Sequence, residues 1–285
     1  MSQLLRANFS RLWKSGIFRL CVLFSIGLSG FMVIMRYVDI QKHSEEYAEL
    51  GIEYSSADGL MFVGALYLLF AAAVLVGIFV GTEYADGTIR NKLVVGHNRP
   101  TIYLSNLIVC AVANEIVLLS HIAAVCIFGK LLLTVEMPIK EILQFTLLEI
   151  LSFLALTAVF VLFAMLIQSK AASSVAVLIL SIILLFATLT IQNKLDAPEY
   201  YDGYTYTNEE TGEVIEQERE KNPYYLTGTK RQVYVFLNDF LPSSQIYQVA
   251  MQKSDHAGRM AGYAGLLFLV STGAGIIVFR KKDLK

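Results

Sequence analysis

Charge is what this 285-residue sequence has least of. Asp, Glu, Lys and Arg make up 16% of it, against 55% hydrophobic residues, where soluble domains carry roughly 25% charge. A water-soluble core of this size needs more polar surface than that, so the composition argues against a soluble domain and for a membrane protein. Cysteine is scarce as well. Cys21, Cys110 and Cys126 all lie in apolar runs, which reads as small buried hydrophobes rather than a disulfide framework or a metal site, and leaves the redox compartment open. Catalytic motifs are missing too. The one Gly-Lys pair, Gly129-Lys130, is followed by Leu131, so the Lys-Ser/Thr ending of a phosphate-binding loop is absent. There is no His-Glu-x-x-His zinc helix and no Gly-x-Ser-x-Gly elbow, and His43, His97, His121 and His256 are scattered. The expectation is a chain with no catalytic residues, no metal, no cofactor of its own and no nucleic-acid partner. Energy for any work it does must come from another subunit.

What is present is a series of long apolar runs. Ile17–Met35, Leu60–Val80, Thr101–Phe128, a run within Ile142–Ile167 (about 144–167), Ala171–Ile191 and Ala264–Phe279 (from about Met260) are each near or above the length a helix needs to cross a bilayer. The third exceeds it, so it tilts or projects. The second carries Gly64, Ala65, Ala71, Ala72, Ala73 and Gly77, small residues that let helices pack closely. The predicted fold is therefore an all-α polytopic membrane protein of six spans in a single domain, 1–285. The first run follows a basic stretch, as a signal peptide would, but it is longer than a 7–15-residue signal core and lacks a small-x-small end. Before it, Leu4, Leu5, Phe9, Leu12 and Trp13 alternate with Arg6, Arg11 and Lys14 in Met1–Ser15. That spacing predicts an amphipathic helix on an anionic leaflet; a plain basic flank of the first span fits the same residues.

Lys and Arg are unevenly spread. Arg6, Arg11, Lys14 and Arg19, then Arg90, Lys92 and Arg99, then Lys170, then Arg280, Lys281, Lys282 and Lys285 all fall on one side of a six-span chain. The acidic stretch Tyr37–Asp58 and the long polar segment 192–259 fall on the other. The positive-inside bias then places both termini in the cytoplasm. Within the outer segment, Tyr204–Thr207 and Glu213–Ile215 flank Asn208–Gly212 as a hairpin would. Lys230–Leu241 has helical spacing and suits the outer leaflet. Pro242 ends it, and Ser243 or Ser244 caps a second short helix. The expectation is a small extracellular α/β subdomain between spans five and six, either gating or holding a substrate or simply solvated.

Ionisable residues inside spans are costly and mark functional candidates. Asn114, Glu115 and His121 in the third span and Glu149 in the fourth line a substrate route on one reading and hydrogen-bond neighbouring helices on the other. Glu149 is expected nearer the outer interface.

The link between the second and third spans, 82–99, is short, polar and basic. Asn98 and Pro100 make a good start for the third helix. Its block Glu83-Tyr84-x-x-Gly87-Thr88-Ile89-Arg90-x-Lys92-Leu93 resembles that of ABC-2 type transporter permeases. The six-span pattern, the basic amphipathic N-terminus, the large segment before the last span and the Phe279-Arg280-Lys281-Lys282-Asp283-Leu284 ending are similar too. The resemblance implies that this link is a coupling helix fitting a cleft in a separate ABC ATPase. ATP and Mg would be bound by two copies of that ATPase, and a second permease chain, identical or homologous, would complete the route. Glu83, Tyr84, Gly87, Thr88, Arg90 and Lys92 would be the coupling residues. Glu83 near a helix start would suit the dipole, Gly87 would permit a tight bend, and Arg90 and Lys92 would offer charge to an acidic cleft. The long tyrosine-rich outer segment is more similar to Gram-positive peptide or antibiotic export and immunity permeases. The expected function is ATP-driven export by alternating access at a bacterial plasma membrane, of a peptide, antibiotic or other amphipathic substrate. The alternative is a non-transporting sensor or immunity protein that binds an extracellular peptide through residues 192–259.

Overall fold

A computed structural model describes residues 1–49, 56–207, 214–253 and 256–283. Its order is α1 (Ser2–Lys14), α2 (Gly16–Lys42), α3 (Ser44–Glu49), α4 (Leu60–Ala85), α5 (Thr88–Val94), α6 (Arg99–Leu132), α7 (Ile139–Leu166) and α8 (Lys170–Leu195). Then come β1 (Tyr200–Tyr201), β2 (Tyr204–Thr207), β3 (Val214–Gln217), β4 (Glu220–Lys221), α9 (Gly228–Phe240), α10 (Pro242–Ala250) and α11 (Ala257–Lys281). Among the described residues six helices are long and apolar enough to cross a membrane: α2, α4, α6, α7, α8 and α11. Each covers one of the apolar runs of the sequence, α7 stopping one residue short of the fourth run's end at Ile167. The acidic stretch after Met35 is not a plain loop: α2 continues to Lys42 and α3 follows, with the Tyr47 hydroxyl donating to the Asp39 carboxylate at 2.8 Å.

The bundle has two layers. In α4, α6 and α7, 61% of the most apolar window is buried, against 22–28% in α2, α8 and α11, so the first three form the core and the others flank it. The flanking helices turn large apolar side chains outward, such as Leu23 and Phe31 of α2, Ile183 and Phe186 of α8, and Leu269 of α11. Ser25 and Ser29 of α2, Ser181 and Thr188 of α8 and Ser271 of α11 are buried against the bundle instead, as a lipid solvent favours. Ser25 of α2 shares a 2.6 Å hydrogen bond with Ser120 of α6. Two of the small residues of α4 do what small residues are for. A Cβ on Gly77 would lie 2.7 Å from the Ser174 backbone of α8, and one on Gly64 would overlap the His121 ring. Asn98 caps α6 by accepting from the Thr101 amide at 2.9 Å, with proline in the first turn.

Residues beyond α8 build the far end. β1 pairs with β4 and β2 with β3, both antiparallel, as two short two-stranded sheets that form a ribbon of paired strands. The expected turn at Asn208–Gly212 lies outside the described residues. α9 forms where helical spacing predicted it. The capping role expected of Ser243 and Ser244 is not what they do, because α10 is not a surface helix. It is buried from Pro242 through Ala250 except at Tyr247, packed on α4, α7 and α8. Leu241 occupies the cap position with no side-chain bond. The two serines instead meet Thr188 of α8, at 2.8 Å and 3.1 Å. Gln245 bridges three elements, accepting from Ser152 of α7 at 2.8 Å and donating to the carbonyls of Asp239 and Met260.

Candidate functional site

The α4–α5 bend follows from one residue. Gly87 has φ +66°, a left-handed conformation that glycine adopts without the Cβ penalty. Its amide bonds back to the Tyr84 carbonyl at 3.1 Å, so α4 stops at Ala85 and α5 restarts at Thr88 in a new direction. This corrects the placement of Glu83. It lies in the last turn of α4 rather than near a helix start, and the dipole there disfavours a carboxylate.

Glu83 is held by side chains instead. It is fully buried, and its Oε1 meets the Arg11 guanidinium of α1 at 2.5 Å and the Lys92 ammonium of α5. Its Oε2 accepts from the Asn106 amide of α6 at 2.6 Å. Asn8 of α1 closes the ring. Its amide donates to Ser105 Oγ at 2.6 Å and Asn106 Oδ1 at 3.1 Å, and its Oδ1 accepts from Lys92 at 3.0 Å. Four helices thus meet on one carboxylate. Burial holds the Lys92 ammonium below its usual pKa, against the upward pull of Glu83, and Arg11 adds to the lowering. Lys92 is therefore spent inside the protein and is not offered to a partner. Arg90 is exposed, and so are Val94 and Val95, at 82% and 77%.

A second knot lies beside the first. The Tyr84 hydroxyl donates to the Met165 carbonyl at the end of α7 (2.6 Å), and Lys282 Nζ reaches the same carbonyl at 2.9 Å. Burial brings the Lys282 pKa down to about 8. Arg99 donates to the carbonyls of Phe279, Arg280 and Lys282, neutralising the negative end of α11. Gln168 donates to the Asp283 carbonyl at 2.5 Å. Between the knots is a cleft of about 230 Å³, lined by Glu83, Tyr84, Gly87, Ile89, Arg90 and Gln168 among others. Four of the six coupling candidates therefore surround one notch. Lys92 stands behind it, and Thr88 is part-buried at the start of α5.

A family model described as ABC-2 family transporter protein matches residues 4–188, from within α1 through most of α8. The chain belongs to this family. No curated protein and no solved structure matches it. As an ABC-2 chain it is a multi-pass membrane component of transport rather than a catalytic subunit, and membership implies association with an ABC ATPase. Every member of the Glu83 cluster falls inside the matched region; α9, α10 and α11 lie beyond it. The cluster residues that sequence reasoning missed in this ABC-2 chain are Asn8, Ser105 and Asn106. Arg11, read from sequence as facing lipid headgroups, turns one nitrogen inward to Glu83.

Of the polar residues within its spans, Glu115 of α6 and Glu149 of α7 come within electrostatic reach of each other. Asn114 donates to Thr157 of α7 at 2.8 Å. His121 is held from two sides, by Ser29 of α2 at 2.7 Å and the Leu60 carbonyl of α4 at 3.2 Å. Both bond to neighbouring helices. Glu115 and Glu149 differ: no carboxylate oxygen of either has a hydrogen-bond partner among the described residues, and Glu149 is fully buried.

Proposed function

We propose that this chain is the membrane half of an ATP-driven exporter and that a separate ATPase seats against the α5 tip. The observation that carries the proposal is the mounting of α5. Its exposed face (Arg90, Val94, Val95) is free to meet a partner, while its inner face is tied through Lys92 and Glu83 to α1, α4 and α6. A force on the tip is passed to three other helices at once. Arg90 supplies charge to an acidic cleft and the two valines supply apolar contact. The basic N-terminus, the α5 link and the basic tail share one end of the bundle, which supports both termini lying in the cytoplasm and residues 192–259 facing out, with α10 plugging the outer end between α4, α7 and α8.

Two such bundles, identical or homologous, rock against each other as two ATPases bind ATP and Mg, and an amphipathic substrate such as a peptide or antibiotic passes between them at a bacterial plasma membrane. Co-purification in lipid, followed by an assay of stimulated ATP hydrolysis, tests this. Arg90→Glu is expected to lower stimulation with the fold intact. An unchanged rate, or no nucleotide hydrolase in the purified material, contradicts it. The alternative, a sensor that transports nothing, draws on the ribbon with its exposed Tyr200 and Tyr201, which lies outside the matched region. It predicts peptide binding that survives loss of the ATPase.

A further inference from the structure

Two cavities on the outside of α4 adjoin. One, of about 250 Å³, lies where α1, α2 and α4 meet; Arg11, Lys14, Ser15, Thr82 and Asp86 form its polar walls. The other, of about 390 Å³, is a groove between α2 and α4 lined by Leu20, Phe24, Tyr67, Phe70, Ala71 and Val74 among others. Ile17 is a wall of both, and Val74 and Ile78 continue the lining one helical turn apart on α4. From Tyr67 to Val74 the groove runs about 10 Å along α4, and Ile78 of the polar cavity extends this apolar wall to about 16 Å, the depth of one leaflet's hydrocarbon. The polar cavity opens at the α5 end, so head and tail are arranged as in a lipid.

The head cavity also has an unsatisfied donor set. Arg11 uses one terminal nitrogen on Glu83; its Nε and Nη2 are buried with no hydrogen-bond partner among the described residues, while the guanidinium lies 3.9 Å over the Phe79 ring. Nε and Nη2 form one edge of the planar fork, which matches two oxygens of a phosphate. Lys14 is exposed one turn on. Arg11 and Lys92 share Glu83, and Lys14 and Asp86 line the cavity with Arg11, so three positive charges stand against two negative ones and one is left over.

We infer that this junction holds one anionic phospholipid, its phosphate on the Arg11 fork and Lys14 and one acyl chain in the α2–α4 groove. The lipid would brace α1 against α4 beside the Glu83 cluster, and its binding does not depend on the ATPase.

The test is photo-crosslinking in phosphatidylcholine vesicles with a small fraction of phosphatidylglycerol carrying a diazirine on its acyl chain, beside a diacylglycerol with the same chain. Labelling is expected on Ile17–Phe24 and Tyr67–Val74, stronger from the phosphatidylglycerol. Lys14→Glu should cut it about fivefold or more, the effect of one basic residue at an anionic site. Ala71→Trp should remove groove labelling with headgroup contact kept. Both side chains lie outside the Glu83 cluster, and unfolding curves that match the parent chain confirm the fold. Equal labelling by the two probes, labelling spread over all outer faces, crosslinks to a second copy at these positions, or loss of labelling on adding inorganic phosphate would each overturn the inference.

Discussion

Removing the Glu83 carboxylate strands two cations, and that sets the largest residue-scale effect. Breaking a buried ion pair by deleting one partner costs roughly 3–5 kcal/mol because the remaining charge stays desolvated. Glu83→Ala is therefore expected to lower the unfolding temperature in detergent sharply. The double change Glu83→Ala with Lys92→Met should recover part of the loss, since the stranded ammonium goes with it. Lys282 gives a pH signature of the second knot. Its folded pKa is about 8 against an ordinary 10.5, so between these values the unfolded chain binds more protons than the folded one, and stability rises as pH rises through that window. The difference in unfolding temperature between the parent chain and Lys282→Gln should shift in the parent's favour from about pH 8 to 10.5. Parallel profiles would mean that Lys282 is not buried against Met165 and Tyr84.

At the scale of elements, the α4–α5 bend depends on a left-handed glycine and the α4–α8 crossing on a missing side chain. Gly87→Ala meets no neighbour, so its cost is the backbone's alone, about 1–2 kcal/mol. Asparagine at 87 should cost less. Gly77→Val collides with the Ser174 backbone and should separate α4 from α8, at roughly 1–3 kcal/mol. Unfolding curves of the three variants rank these costs. The six long helices and the bend were legible in the sequence because each has a local cause: long apolar runs, the Asn98-Pro100 start, a glycine in a charged link; α3, in an acidic stretch that reads as a loop, was not. The contacts of α10 were not. Ser243 and Ser244 after Pro242 look like caps, and only the fold puts Thr188, some 55 residues away, against them. Asn8 was hidden for the same reason. It sits at four-residue spacing between Leu4 and Leu12, all three buried. A polar residue inside an apolar stripe was the available signal, but its partners Ser105 and Asn106 are nearly a hundred residues on.

In the whole molecule, the basic link has an inner part that ties helices together and an outer part that is exposed. Residue type alone does not separate Arg90 from Lys92; their burial does. α10 packs on α4, α7 and α8 away from that link. The most direct test is a photo-crosslinking amino acid at Val94, which is 82% exposed, compared with one at Tyr224 in the far segment, 69% exposed, in native membranes. Position 94 is expected to capture a nucleotide hydrolase and position 224 is not. Capture from position 224 alone, or labelling of position 94 by a reagent confined to the outside of the cell, would contradict this.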